Sequence, residues 1–253
     1  MLLLSELELA LQKKKEGVFL SAYEKRIILF NTHRKTLEKK FNKKLTDIQV
    51  RYLERGVRYI GYWDIETSDF NPYQNFMICY CFTRRDIITG KKENFEYHIT
   101  KQDITKAVKN NNFNFDVILL RKLSECMESC DMIEGHYSTK FDMPFFRSRC
   151  LLTKQPELIP PHGKLKYSDT WRKMKTTLKA NRNTLNNLNL IVSGKSDKTF
   201  VELEYWYKVR FKDSPQWQKS INYILKHCRQ DVKDSVRNGI AIESFNNIPG
   251  GLS

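Results

Sequence analysis

Asp64 and Glu66 stand two residues apart in the stretch YWDIETSDF. They close an apolar run that reads as a buried strand, where residues i and i+2 project from one face of the sheet. Two carboxylates side by side repel, and a cation between them relieves the repulsion. An acidic pair at a strand end is also an ordinary salt-bridge partner, so a metal reading needs further oxygen ligands. Asp142 is one candidate. It lies in GHYSTKFDMPFF, among Phe141, Met143, Pro144, Phe145 and Phe146, where an acid is costly to bury unless it is paired or metal-bound. Asp231 is another, with His227 four residues before it and therefore on the same helical face.

The elements that must carry these residues can be read from pattern. VRYIGYWDIE, FMICYCFT and NFEYHIT are β-prone runs parted by the turn-like SDFNPYQN and DIITGKK, which predicts an antiparallel meander. A helix follows from about 116 to 130, then a short strand in MIEGH, a helix through FDMPFFRSRCLL, a break at QPELIPPHG and a strand in KLKYSDT. Further helical segments lead to a long helix from about Gln216 or Lys219 to Ser244, with NNIPGGLS as a tail. This alternation predicts an α/β domain with helices on a central mixed sheet, over residues 56–253. Residues 1–55 differ: they hold 13 Lys or Arg against 7 Asp or Glu, no Pro and one Gly. Helical spacing of Tyr23, Ile27, Phe30, Leu37 and Phe41, then of Leu45, Ile48 and Tyr52, predicts a small basic helical module. It reads equally as a solvated cap or as a nucleic-acid docking element.

With the elements in place, three segments resemble motifs I, II and III of the DEDD superfamily of 3′→5′ exonucleases, which have a ribonuclease H-like fold. DIET matches D-x-E, GHYSTKFD resembles G-H-N-x-x-x-F-D, and HCRQDV resembles Y-x-x-x-D-V, in that order along the chain. YSDT and NRNTLNNLNLIVSGKSDKT add weaker likenesses to the family's I-D-T strand and to its following helix and Gly-Lys loop. The pattern is most similar to the proofreading domain of family B DNA polymerases and to stand-alone relatives. The resemblance implies two Mg²⁺ or Mn²⁺ about 4 Å apart, held by Asp64, Glu66, Asp142 and Asp231, one activating the attacking water and the other stabilising the leaving 3′ oxygen. Two departures stand out. Tyr137 replaces the Asn of motif II, which in relatives helps place the terminal nucleotide, and His227 stands where one branch has tyrosine. Imidazole can take a proton from water near neutral pH, so His227 is favoured as the group that orients or deprotonates the nucleophile. The plainer alternative is an ordinary helix histidine.

Composition agrees with a polyanionic partner. The 253 residues carry 44 Lys or Arg against 29 Asp or Glu, for a net charge of +15. From Lys164 to Arg182 seven cations and one acid, Asp169, are interleaved with Tyr167 and Trp171, and EYWYKVRFKD repeats the mixture. Such segments hold single strands by phosphate contact and stacking. Tyr137, Phe141, Lys164, Lys166, Trp171, Arg172, Lys173 and Lys175 are the candidate nucleic-acid contacts. Asp69, Glu134, Asp169 and Asp234 are not expected to bind metal, with Asp169 the leading candidate to support a ligand. The six cysteines lack C-x-x-C spacing and read as reduced core thiols, a zinc site at Cys126 and Cys130 being the minor alternative. The opening MLLLSELELA is too short and too acidic for a signal peptide or membrane span. The expectation is a cytoplasmic, stand-alone exonuclease of DNA, acting on single-stranded or 3′ ends, in association with a separate polymerase or with a repair or recombination complex, or serving a phage or mobile element. A catalytically silent nucleic-acid-binding module and a ribonuclease trimming RNA 3′ ends are the alternatives.

Overall fold

The structure is a computed structural model that describes residues 2–110, 112, 114–195 and 201–245. The expected tail NNIPGGLS and Ser196–Thr199 of the Gly-Lys loop lie outside the described residues. The chain divides into two compact units, Met1–Gly56 and Val57–Ser253.

The first unit is helical: α1 (Leu2–Lys15), α2 (Ala22–Phe41) and α3 (Asp47–Glu54). Its starts are written locally. Ser21 and Glu24 form a reciprocal capping box at α2, and Thr46 and Gln49 form another at α3, each satisfying backbone N–H groups that a helix start leaves open. Lys13 pairs with Glu24 at 2.6 Å, and Arg34 pairs with Asp47. Lys25, Lys35 and Lys39 face solvent along α2.

The second unit is a five-stranded sheet in the order β3-β2-β1-β4-β5, with β1 at Tyr59–Thr67, β2 at Met77–Asp86, β3 at Lys92–His98, β4 at Met132–Gly135 and β5 at Lys166–Asp169. The three-stranded meander is antiparallel, whereas β1, β4 and β5 run parallel, so the sheet is mixed. Helices α4 (Lys101–Lys109), α5 (Val117–Glu128), α6 (Asp142–Leu152), α7 (Thr170–Thr177), α8 (Leu185–Ser193), α9 (Leu203–Lys208) and α10 (Trp217–Ala241) complete it. On β2, Cys79 and Cys81 face α10 with Glu66 and Asp64 as their cross-strand neighbours, while Tyr80 between them turns its hydroxyl to Cys126 of α5, 3.8 Å away. Opposite faces of one strand thus serve opposite helices, as a pleat with period two requires. Helix α10 packs across β1, β2 and β4. It can lie this close because residue 239 is glycine: a Cβ there would fall 2.2 Å from Glu134 Oε1 and 2.6 Å from Tyr62 Cε1.

Of the six cysteines all are free and buried. Cys126 and Cys130 belong to no metal-capable group among the described residues. No described helix is long and apolar enough to cross a membrane.

Candidate active site

Four carboxylates arrive at the C-terminal end of β1 from three elements. β1 and β4 are paired at Ile60, Gly61 and Tyr62, and beyond that the ladder ends. The Ile65 N–H, which a longer β4 would have taken, instead donates to Asp142 Oδ1 at 3.1 Å. Asp142 is the first residue of α6 and is 4% exposed, so its burial among phenylalanines is compensated by this backbone contact. The carboxyl ends of parallel strands are where open α/β sheets bind ligands.

Register slips between Glu66 and Thr67, leaving Ile78 as an extra residue on β2. The irregularity lies directly beside Glu66. Its Oε2 accepts from Trp206 Nε1 of α9 at 3.1 Å, and its Oε1 lies 4.0 Å from His227 Nε2. His227 Nε2 is also 3.6 Å from Asp231 Oδ2, one turn along α10. The Trp206 indole stands edge-on to the His227 ring, centroids 5.7 Å apart. The next residue, Cys228, donates its thiol to the Asp64 carbonyl at 3.5 Å. Two donor groups result, Glu66 with His227 and Asp231, and Asp64 with Glu66 and Cys228, each with ligand atoms within 4.8 Å of one another.

Burial raises the Asp64 carboxyl well above the usual carboxylate range, and the charges of Asp142, Glu66 and Asp231 raise it further. Asp142 is pushed up to about 7, chiefly by burial and then by Asp169 and Asp231, against the pull of the Ile65 N–H. Acidic groups gathered against this cost could hold a metal ion, and the two donor groups supply the ligand atoms for one. Tyr223, two turns before Asp231, stacks on Tyr205 at 4.2 Å.

Asp169, at the end of β5, accepts from the backbone N–H groups of Tyr137 and Thr139, each at 2.9 Å, from the Thr139 hydroxyl, and from Trp171 N–H as the cap of α7. It fixes the turn that leads to Asp142. Glu134 bonds Ser168 and Lys173, and Asp234 accepts from Asn189 at 2.8 Å. Asp69 meets Arg210 at 3.4 Å.

The aromatic and basic contacts divide. Tyr137 adopts φ +65, is 45% exposed, and sets its ring edge-on to Trp171 at 5.2 Å, with the Lys175 ammonium 5.3 Å from the Trp171 centroid. Arg172 is exposed on the same helix, and Phe141 packs edge-on to Phe70 at 5.7 Å. Three lysines depart from expectation. Lys173 turns inward to an ion pair with buried Glu134 and is not part of an open basic face. Lys166 is level with Met132 and hence with Ile60, four residues before Asp64, which puts it about 13 Å down the sheet from the carboxylates. Lys164 precedes it and pairs with Glu128 at 3.1 Å. Both lie toward the start of β5, away from the carboxylates.

Trp206 and Cys228 are the site residues that sequence reasoning did not single out. Trp206 was visible only as one aromatic in a basic stretch, and Cys228 only as a core thiol.

No protein-family model matches the chain, and no curated protein matches it. Among solved structures, the family B DNA polymerase from the hyperthermophilic archaeon Pyrobaculum calidifontis is similar, with a TM-score of 0.54 at 12% identity. The match covers 73% of this chain and 24% of the polymerase, so the chain spans about a quarter of that protein. Likeness at this identity speaks for the fold: an open, mixed α/β sheet flanked by helices, consistent with the ribonuclease H-like class.

Proposed function

We propose that this chain is a metal-dependent 3′→5′ exonuclease of the DEDD type, hydrolysing phosphodiester bonds at single-stranded 3′ ends of DNA. The observation that carries the reading is the convergence of Asp64, Glu66, Asp142 and Asp231 at one strand end, with His227 between Glu66 and Asp231. These four carboxylates would hold two Mg²⁺ or Mn²⁺, which when bound lower the pKa of the attacking water and offset charge on the leaving oxygen.

The chain's own residues do the rest. The Ile65 N–H and the turn held by Asp169 fix Asp142, and Trp206 fixes the rotation of Glu66. In this reading His227 Nε2 accepts a proton from water, and Asp231, 3.6 Å away, stabilises the imidazolium. Tyr137, Phe141 and Trp171 offer stacking surfaces and Arg172 and Lys175 offer phosphate contacts to a single strand.

The test is Mg²⁺- or Mn²⁺-dependent degradation of a 5′-labelled single-stranded DNA by the wild type and Asp64→Ala. A ladder of shortened products that vanishes in the variant is expected. One observation favours a second reading, a catalytically silent nucleic-acid-binding module: the Trp206 indole already occupies one oxygen of Glu66. DNA binding without any product would select it, and faster turnover of a matched RNA would move the substrate class.

A further inference from the structure

Helix α10 presents two different sides. His227 and Asp231 look inward to Glu66, whereas Lys219, Lys226 and Lys233 are exposed and recur every seven residues. Seven residues are close to two helical turns, so the three ammonium groups share one stripe, with about 10 Å between neighbours and about 21 Å from first to last. Consecutive helix positions are about 100° apart, which sets the stripe roughly a quarter-turn round the helix from His227. It starts two turns before His227, passes beside it and runs on beyond Asp231. Its charge has no local counterpart. The acids of α10 are Asp231, turned to the carboxylate centre, and Asp234, 1% exposed and held by Asn189 and Arg237 at 2.8 and 2.9 Å. Two acids of neighbouring elements are engaged elsewhere: Glu96 of β3 pairs with Arg229 at 2.5 Å, and Glu204 of α9 pairs with Lys208. Among the described residues no carboxylate forms an ion pair with Lys219, Lys226 or Lys233. An ordinary solvated helix face alternates in sign and laces itself with such pairs; this stripe does neither. At its start the Lys219 ammonium lies 5.7 Å from the Tyr205 centroid, and Tyr205 stacks on Tyr223.

We infer that Lys219, Lys226 and Lys233 form a phosphate track for single-stranded nucleic acid, holding the part of the strand that lies 5′ of the bond at the carboxylates. Point charges on flexible stems contact phosphates without reading bases, so the track is indifferent to sequence. A straight line of about 21 Å suits a flexible strand, which lays successive phosphates along it; a duplex, with a persistence length of about 50 nm, cannot bend its winding backbone to follow. The placing of a 3′ end at the carboxylates rests on the exonuclease reading above, and the binding of phosphates along α10 does not.

The test measures binding by the full chain in a chelator, so that no strand is cut. A fluorescent single-stranded DNA of about sixteen nucleotides, long enough to fill one binding groove, and a blunt duplex of the same length are titrated by anisotropy over a salt series. Replacing Lys219, Lys226 and Lys233 together by Gln should lower the log–log salt slope for the single strand by about 2, three contacts at about 0.7 each, and weaken its binding at low salt at least about tenfold. The same three positions changed to Arg should keep the slope. A control with equal loss of charge, Lys91, Lys92 and Lys122 to Gln, removes cations at the start of β3 and on α5, across the sheet from α10, and should also keep it. Circular dichroism confirms that all three variants are folded. A slope unchanged by the stripe variant, an equal fall in the control, or a loss confined to the duplex would each overturn the assignment. DNA degradation with Mn²⁺ is scored separately. A protein that degrades DNA while its stripe variant keeps the slope defeats only this inference, and one whose slope falls as expected without any degradation defeats only the exonuclease.

Discussion

Replacing Arg149 with methionine should destabilise the second unit by several kcal/mol, about 3–5. Arg149, on α6, and Asp116, just before α5, are 4% and 0% exposed and form a bidentate pair at 2.9 and 2.8 Å. Asp116 forgoes capping α5 to make it. Its Oδ2 also accepts the Met77 N–H at 2.9 Å, and Arg149 donates to the Pro72 carbonyl at 3.0 Å. The pair therefore ties the loop after β1 and the start of β2 to the helix that begins with Asp142. Methionine keeps most of the side-chain volume, so little of the loss is cavity. What remains is a buried carboxylate stripped of its counter-charge, worth about 3–5 kcal/mol, with about 1 kcal/mol more for the orphaned Pro72 carbonyl. Urea denaturation followed by circular dichroism, with m compared between proteins, measures it. Adding Asp116→Asn to Arg149→Met removes the stranded charge while keeping an acceptor for Met77, and should return at least about 1 kcal/mol of the loss. A single-variant loss below about 1 kcal/mol, or a double variant no better than the single, would refute the claim that a desolvated charge sets the cost.

Three further outcomes follow from the same geometry. The metal-free protein should lose stability as pH rises from about 4 toward 7: burial raises Asp64 and Asp142, the latter to about 7, so the native state holds protons that the unfolded chain releases in that window. Urea melts with a chelator at pH 5 and pH 8 would show the fall, saturating Mg²⁺ should reduce it, and a flat profile would count against the buried acids. Tyr137→Asn should raise stability by about 0.5–1 kcal/mol, because asparagine tolerates φ +65 better than a bulky side chain does, while weakening single-strand binding through loss of the stacking face. A melting temperature that falls would contradict it. Lys35→Ala with Lys39→Ala, one turn apart and exposed on α2, should reduce the log–log salt slope of single-stranded DNA binding by about 1.4 if the first unit touches phosphate. An unchanged slope would leave that unit a structural cap.

Sequence reasoning succeeded where chemistry was written at short range and stalled where it depended on register or long-range packing. The i, i+2 spacing of Asp64 and Glu66 and the i, i+4 spacing of His227 and Asp231 are properties of a strand and a helix, so each pair was legible without knowing what it faced. Asp142 was legible from its apolar neighbours, although its partner, a backbone N–H freed by the end of the β1–β4 ladder, was not. Helix α4 carried a local signal that was passed over, the Thr100 and Asp103 capping box. The lysines show the opposite limit. Composition grouped Lys164, Lys166, Lys173 and Lys175, but parallel pairing puts the first two at the far end of the sheet, Glu134 draws the third inward, and only Lys175 reaches the aromatic corner. Trp206 lies 140 residues from Glu66 in the chain and meets it because α9 packs on α10, a relation no local pattern encodes. Such contacts decide which oxygen of Glu66 is turned toward His227, so the aim of the acidic side chains is set by tertiary packing even though their places on a strand and a helix are set by spacing.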